Sequence, residues 1–437
     1  MLPLERCRGR VSRGALCPLS ITVAAALQAT RLRLQNSRVK LNAQELHNRI
    51  EFLFHENFTH FNELGAALSI WQNGKSVLDL HGGFKDKGHE QPWDDNTIVL
   101  VWSATKGIGS ACLLHALQEN EISINRRVSE FWPEFGQSGK MDITVTQLLS
   151  HSAGLCALRE NPEVTDYAAV IHALEKQAPL WQPGSAHGYH ARTFGFLIDE
   201  LTRRITGRSV SKYWRTTFAR PLALDFWIGL PEGLNPRCAT IYAPKAGIPR
   251  PANNRLSGSD RYSGSGRLSG SDFYRDLVTP GTLQRNTFSS PFGLNSVSAM
   301  NKPENRAREF ISFGGIGSAS ALAKFYGMLA NGGEVGGRKF FTSDTIQLMT
   351  TTISDGLDWV FEIPTAFSAG FMKDSSAAPR KLFGPSATAF GHPGAGGSHA
   401  FSDPENKIGF AYVMNQMEQS VLPTHKSLRL VDAVYAQ

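Results

Sequence analysis

Apolar runs separated by polar turn sequences predict β-strands near both ends of the chain. Two strands are predicted at 65–71 and 76–80, and Gln72-Asn73-Gly74-Lys75 between them predicts a tight hairpin turn, because Asn-Gly readily takes positive φ at both positions. Toward the other end, a second hairpin is predicted with its turn at 403–406 and its return strand at 408–414.

Between these ends, apolar residues recur at the spacing of helices. Several of the helical patterns end at glycine or asparagine, as helices commonly do. The predicted helices are 103–120, 143–155, 170–178, 194–201 and 319–330, with a terminal helix that begins near Gln416.

Residues 251–272 differ in composition from the rest of the chain. The sequence Leu-Ser-Gly-Ser-Asp occurs at 256–260 and again at 268–272. A Ser/Gly repeat of this kind has no apolar face with which to join a core. We therefore predict a flexible surface insertion within one domain that spans 45–437.

Residues 1–44 have the composition of a targeting segment. Four arginines within the first 13 residues precede an alanine-rich apolar run, and three more follow within 31–38. An arginine-rich segment with few acidic residues is typical of a mitochondrial presequence, which is the localisation that we favour. A basic start before a short apolar run also fits a secretory signal or membrane anchor, and a plain disordered tail is the third alternative.

The formal charge of +7 is confined to that segment. Residues 1–40 hold eight of the 45 Lys and Arg residues and one of the 38 Asp and Glu residues, which leaves 37 of each sign for the rest of the chain. Because residues 41–437 have no formal net charge, their composition gives no reason to expect a nucleic-acid-binding surface. Its 41% hydrophobic residues are sufficient for a large core.

No pattern of metal ligands is evident in the sequence. The five cysteines match no metal-binding spacing, and their odd number argues against a complete disulfide framework, so we expect those of the domain to be buried thiols. His55 and His60 are five residues apart, whereas a zinc-binding helix presents two histidines four apart. We therefore expect no metal ion and no other cofactor, and we interpret 55–60 as a solvent-exposed helix.

Candidate chemistry begins at Ser103, which is followed by Lys106 where an apolar helical pattern starts. Residues three apart share a helix face, so the Lys106 nitrogen is expected within reach of the Ser103 hydroxyl. A serine hydroxyl is a poor nucleophile at neutral pH, and a lysine that burial keeps neutral is a suitable base for it. Ser-x-x-Lys also occurs at 37–40 and 209–212, so the spacing alone does not identify the site.

Two later segments carry further candidate groups. Tyr189 lies between a Pro-Gly turn at 183–184 and an apolar helix, and a glycine-rich segment contains His392 and Gly394. We interpret His151 as a structural histidine that binds neighbouring backbone rather than as a catalytic base, because no carboxylate near it in the sequence would orient it.

The order of these elements resembles the serine β-lactamase-related superfamily, most closely class C β-lactamases, family VIII carboxylesterases and animal β-lactamase domain-containing proteins. Ser103 and Lys106 match its Ser-x-x-Lys motif, Tyr189 matches the tyrosine of its Tyr-x-Asn motif, and 392–394 replaces its Lys-Thr-Gly. The resemblance covers about residues 45–437, without the Ser/Gly insertion at 251–272. The flanking segments similar to family landmarks are 77–83, 131–135 and 148–155.

The resemblance implies an α/β fold of the α+β type, with an antiparallel sheet built from both chain ends, helices on its faces and a mostly helical insertion. It also implies a serine hydrolase that cleaves a small-molecule ester, or an amide, through an acyl-enzyme on Ser103. Lys106 and Tyr189 would share the proton transfer, and the order of their roles stays open. The N–H groups of Ser103 and Ala395 would bind the oxyanion beside His392 and Gly394.

Two departures from the family pattern bear on the substrate. Ala191 stands where β-lactamases usually carry an asparagine that binds the antibiotic amide, and the third motif lacks its lysine, so a cation is missing unless His392 is protonated. These departures favour ester hydrolysis, with β-lactamase or D-amino-acid peptidase activity as one alternative and a non-catalytic, self-assembling scaffold as another. No Gly-x-Ser-x-Gly occurs, which argues against an α/β-hydrolase, and the oligomeric state is left open.

Overall fold

The protein is described here by a computed structural model that covers residues 43–244 and 270–436. Its strands, in chain order, are β1 Gly65–Gln72, β2 Lys75–Gly83, β3 Val99–Leu100, β4 Phe226–Ile228, β5 Gly315–Gly317, β6 Glu334–Val335, β7 Arg338–Lys339, β8 Ser354–Leu357, β9 Pro364–Phe367, β10 Met372–Lys373, β11 Phe390–Pro393, β12 His399–Asp403 and β13 Ile408–Met414. Eight of them form an antiparallel sheet in the order β2-β1-β13-β12-β11-β10-β9-β8. The predicted sheet built from both chain ends is therefore confirmed.

Most of the α-helices lie between β2 and β8. The α-helices are Ala43–His60, Thr105–Glu119, Val145–Leu149, Tyr167–Lys176, Thr193–Thr206, Val210–Trp214, Gly270–Val278, Leu283–Ser289, Pro303–Arg306, Ala319–Ala330, Ser343–Thr350 and His425–Val434. The fold is thus a β-lactamase/transpeptidase-like arrangement of helices around an antiparallel sheet, as the resemblance implied.

The first hairpin has the turn that its sequence predicts. Asn73 and Gly74 have φ values of 51° and 75°, the pair of left-handed residues that a two-residue hairpin loop needs. β1 also pairs with β13, with Ile70 opposite Phe410. The two chain ends are consequently held in one sheet by backbone hydrogen bonds.

Helices cover both faces of the large sheet. On one face, Phe54 of the first helix packs edge-on against Tyr412 at a centroid distance of 6.4 Å. On the other, the helix Ala319–Ala330 approaches so closely that a Cβ on Gly409 would lie 2.2 Å from the backbone nitrogen of Gly327. The prediction that 55–60 is a solvent-exposed helix was therefore only half right, because one side of that helix is buried against the sheet.

A small sheet, in the order β3-β5-β4, fixes the chain just before Ser103. Leu100 pairs with Ile316, and the N–H of Val101 donates to the carbonyl of Gly315 at 2.9 Å. The three strands of this sheet therefore hold the backbone in place just before the Ser103 turn.

Two predicted helices were wrong in extent. The helix predicted at 143–155 ends at Leu149, because His151 and Gly154 take left-handed φ values of 59° and 74°. The terminal helix begins at His425 rather than near Gln416. Some of the intervening residues bind other segments of the chain, as when the Gln416 amide donates to the carbonyl of Ala243 at 2.9 Å.

Two predicted segments lie largely outside the described residues. Only the last two residues of 1–44 are described, and they begin the first helix. Only the last three residues of 251–272 are described, and they begin the helix Gly270–Val278. Within the described ranges, no helix has both the length and the apolar composition needed to cross a bilayer.

Candidate active site

Ser103 lies in a sharp turn between β3 and the helix that follows. It belongs to the 3₁₀ helix Trp102–Ala104, and Trp102 takes a left-handed φ of 50°, which indicates local strain at a bulky residue. Thr105 ties this turn to the small sheet, because its hydroxyl accepts the Gly315 N–H at 2.8 Å and donates to the Trp102 carbonyl at 2.5 Å. The backbone is thus fixed both before and after Ser103.

Lys106 is completely buried beside Ser103. Its Nζ lies 3.2 Å from Ser103 Oγ and 2.8 Å from each of the carbonyl oxygens of Ala191 and Ser312. None of these three partners is a carboxylate, and burial lowers the pKa of Lys106 well below its usual value. The structure therefore brings serine and lysine together as the Ser-x-x-Lys spacing predicted.

The two carbonyls give the lysine nitrogen a definite orientation. A neutral amine has two N–H groups, one for each carbonyl, and one lone pair that then faces the Ser103 hydroxyl. Ser312 is itself held by its side chain, which accepts the Gly195 N–H at 2.6 Å and donates to the Arg192 carbonyl at 2.8 Å. This arrangement is suited to removing a proton from a hydroxyl.

Tyr189 completes the group of three predicted side chains. Its ring centroid lies 4.9 Å from Lys106 Nζ, and its phenol interacts with the Ser103 side chain. Burial raises the pKa of Tyr189, and the hydrogen bond with Ser103 only partly opposes this effect. Phe361 stacks on the ring at a centroid distance of 4.7 Å. The tyrosine is therefore a protonated phenol near neutral pH, in a mostly aromatic setting.

His392 faces the same site from β11. Its ring centroid lies 5.9 Å from that of Tyr189, and its Nδ1 donates to the Pro393 carbonyl at 2.8 Å. Nε2 is buried and has no partner in the described part of the chain. Burial lowers the pKa of His392 to about 3. The imidazole is thus neutral at pH 7 and supplies no cation for a substrate carboxylate.

The loop after β11 holds a candidate oxyanion donor, the backbone N–H of Ala395. The N–H groups of Gly394, Gly396 and Gly397 donate to carbonyls at 2.7, 2.8 and 3.3 Å, whereas that of Ala395 has no acceptor in the described ranges. Gly394 touches the chain just before the serine, since a Cβ there would lie 2.1 Å from the Val101 carbonyl oxygen. The free Ala395 N–H therefore belongs to a loop that packs against the Ser103 turn.

His151 and Ala191 have backbone roles near the site. His151 Nδ1 accepts the N–H of His190 at 3.1 Å, in keeping with the structural interpretation, and burial lowers the pKa of His151 well below its usual value. Ala191 contributes the carbonyl that binds Lys106. Its methyl group has no hydrogen-bonding capacity for a substrate amide.

Sequence reasoning missed Asp358, whose side chain accepts the backbone N–H of Tyr189 at 3.1 Å. Asp358 lies 169 residues from Tyr189 and carries no local motif.

Comparisons with known proteins agree with this geometry. The sequence profile of the family described as Beta-lactamase matches residues 54–433. Esterase/beta-lactamase LipL of Mycobacterium tuberculosis is 31% identical over 372 residues, which cover 82% of this chain and 79% of the relative.

Two solved structures have similar folds. A penicillin-binding protein homologue from Caulobacter crescentus has a TM-score of 0.76 and 33% identity, covering 90% of this chain and 97% of its own. A family VIII carboxylesterase also has a TM-score of 0.76, with 32% identity over 89% of this chain and 97% of its own.

The family match spans most of the chain, and both the fold and the LipL similarity agree with it. This chain therefore belongs to the beta-lactamase family, a family of serine hydrolases that includes esterases.

Proposed function

We propose that this protein is a serine esterase that forms an acyl-enzyme on Ser103, with Lys106 as the base. The observation that carries the proposal is the fully buried Lys106 Nζ, 3.2 Å from Ser103 Oγ and bound otherwise to two carbonyls. A scaffold protein has no need of a desolvated amine beside a serine hydroxyl.

In the acylation step, the Ser103 proton passes to Lys106 as Oγ bonds to the ester carbonyl carbon. The resulting oxyanion is bound by the N–H groups of Ser103 and Ala395, each worth on the order of 3 kcal/mol. When the tetrahedral intermediate collapses, the C–O bond to the alcohol breaks and the proton reaches the leaving oxygen through the Tyr189 phenol. In deacylation, water attacks the acyl carbon and its proton passes through Tyr189 to Lys106. The bond to Ser103 Oγ then breaks, Lys106 returns the proton to this oxygen, and the acid is released.

The assignment of Lys106 rather than Tyr189 as the base follows from burial. Burial favours the neutral form of each group, so it lowers the pKa of Lys106 and raises that of Tyr189. A neutral amine accepts a proton, whereas a neutral phenol both donates and accepts one. Tyr189 is thus suited to relaying the proton between Lys106 and the leaving group.

The pH dependence of the reaction tests this assignment. An active lysine with the ordinary pKa of 10.5 would make kcat/KM rise about tenfold per pH unit from pH 7 to 9.5. Because burial lowers this pKa, we expect kcat/KM to level off within this range, with the loss of activity at lower pH, where Lys106 becomes protonated. Initial rates with a phenyl ester across this range, corrected for spontaneous hydrolysis, provide the measurement, and a continuous unit slope would contradict the assignment.

Substrate preference provides the second test. A β-lactam presents a side-chain amide and a carboxylate, yet Ala191 offers no side-chain hydrogen bond and burial keeps His392 neutral. We expect p-nitrophenyl acetate to be hydrolysed with a kcat/KM at least about 10³-fold above that for nitrocefin, because missing polar partners discriminate strongly. The name of LipL includes both activities, so nitrocefin is an informative comparison. Efficient nitrocefin turnover would favour the β-lactamase alternative.

A further inference from the structure

A loop far from Ser103 in the sequence holds the backbone of Tyr189 in place. It consists of residues 358–363 and closes the hairpin between β8 and β9. Within it, Asp358 is completely buried. The carboxylate of Asp358 accepts the Tyr189 N–H at 3.1 Å, and the Trp359 N–H donates to the His187 carbonyl at 3.0 Å. The loop and the tyrosine segment are therefore joined by hydrogen bonds in both directions.

The same carboxylate also shapes the loop. Asp358 Oδ1 accepts the N–H groups of Val360 and Phe361 at 2.8 and 2.9 Å, in addition to that of Tyr189. Asp358 Oδ2 accepts the Thr365 hydroxyl at 3.0 Å. One side chain thus satisfies three buried N–H groups, each of which would be costly to leave without a partner.

Phe361 connects this network with the tyrosine ring. Its backbone N–H is bound by Asp358, and its ring stacks on Tyr189 with an interplanar angle of 21°. Asp358 therefore acts on Tyr189 at two points, through the backbone N–H and through the ring that packs on the phenol. The phenol has to lie between Lys106 and the leaving oxygen, and small displacements of a catalytic group are costly.

We propose that Asp358 is a positioning residue that holds the Tyr189 phenol in place over Ser103 and Lys106. This inference rests on the proposed function, since it concerns the proton transfer that Tyr189 carries out there. Asp358 itself contacts neither Ser103 nor Lys106, so its influence on catalysis is exerted through Tyr189.

A double-mutant cycle tests the inference with p-nitrophenyl acetate as substrate. Asp358→Ala should lower kcat by about 10- to 100-fold with little change in KM, because the phenol is displaced while the serine and the oxyanion donors stay in place. Tyr189→Phe should lower kcat by about 10²- to 10⁴-fold. In the Tyr189→Phe background, Asp358→Ala should cost no more than about threefold, since no phenol is left to position.

Two further variants distinguish the effect of positioning Tyr189 from the effects of the Asp358 charge and of general stability. Asp358→Asn should keep most of the activity, because its amide oxygen can accept the three N–H groups and its NH₂ can donate to Thr365. Asp403 is a matched control, a buried carboxylate that accepts the N–H groups of Glu405 and Asn406 at 3.1 and 3.3 Å and the Tyr435 hydroxyl at 2.8 Å. Asp403→Ala should lower the melting temperature yet keep kcat within about twofold.

The outcomes distinguish a failure of the positioning role of Asp358 from a failure of the proposed esterase function. Suppose that the wild type is active. If Asp358→Ala then lowers kcat by the same factor with and without the Tyr189 hydroxyl, or does not lower kcat at all, the positioning role alone is overturned. A wild type without esterase activity would overturn the proposed function and this inference with it. If Asp358→Ala does not fold, Asp358→Glu replaces it in the cycle, because its longer side chain keeps the acceptor but displaces it.

Discussion

Replacement of Ser103 by alanine is expected to abolish the hydrolysis of p-nitrophenyl acetate. In the proposed mechanism the acyl-enzyme forms on Ser103 Oγ, so without this oxygen the turnover number should fall by about 10⁴- to 10⁶-fold. Lys106 would keep both of its carbonyl partners, so the variant should remain folded. Initial rates and the melting temperature of the purified variant provide the measurement.

Ser209→Ala is the matched control, because Ser209 begins another Ser-x-x-Lys sequence. In the structure, Ser209 Oγ accepts the backbone N–H of Lys212 at 3.2 Å and caps the helix Val210–Trp214. Its loss should cost about 1 kcal/mol of stability and leave esterase activity intact. Activity that survives Ser103→Ala, or disappears with Ser209→Ala, would show that the nucleophile has been assigned wrongly.

The second large effect is expected for Lys106→Ala. Removal of the proposed base should lower kcat by about 10²- to 10⁴-fold, because the Ser103 proton would no longer have an acceptor next to it. The carbonyls of Ala191 and Ser312 would also lose their donor, which is expected to cost about 1–3 kcal/mol of stability. Rates therefore have to be measured well below the melting temperature of the variant.

Lys140 is a matched control for this change. It is also a completely buried lysine whose Nζ donates to backbone carbonyls, among them those of Glu175 and Gln177 at 2.8 and 2.5 Å. Burial lowers the pKa of Lys140 to about 8. Lys140→Ala should therefore reduce stability in a similar way and preserve kcat. Equal losses of activity in the two variants would mean that Lys106 supports the fold rather than the chemistry.

Local patterns predicted much of the sheet and the meeting of Ser103 and Lys106. The Asn73-Gly74 turn and the strand at 408–414 follow from short-range chemistry, since a turn sequence and a short, continuous apolar run are properties of neighbouring residues. The serine and lysine are three residues apart at the start of a helix, so their proximity is also a local property.

Features that depend on distant segments were not predicted. Asp358 meets Tyr189 across 169 residues, and no local pattern indicates that an aspartate after β8 will bind that N–H. The neutrality of His392 depends on burial, which the folded chain decides. The helix predicted near Gln416 was wrong for the same reason, because the side chain of that residue binds the Ala243 carbonyl of another segment.

The most direct test of the central claim is peptide mass spectrometry after treatment with a fluorophosphonate, which bonds to activated serine hydroxyls. The wild-type protein is predicted to carry one stable adduct, on Ser103 in the tryptic peptide that ends at Lys106, and the Ser103→Ala protein to carry none. An adduct on a different residue, or an unlabelled Ser103 in a preparation that hydrolyses esters, would contradict the account.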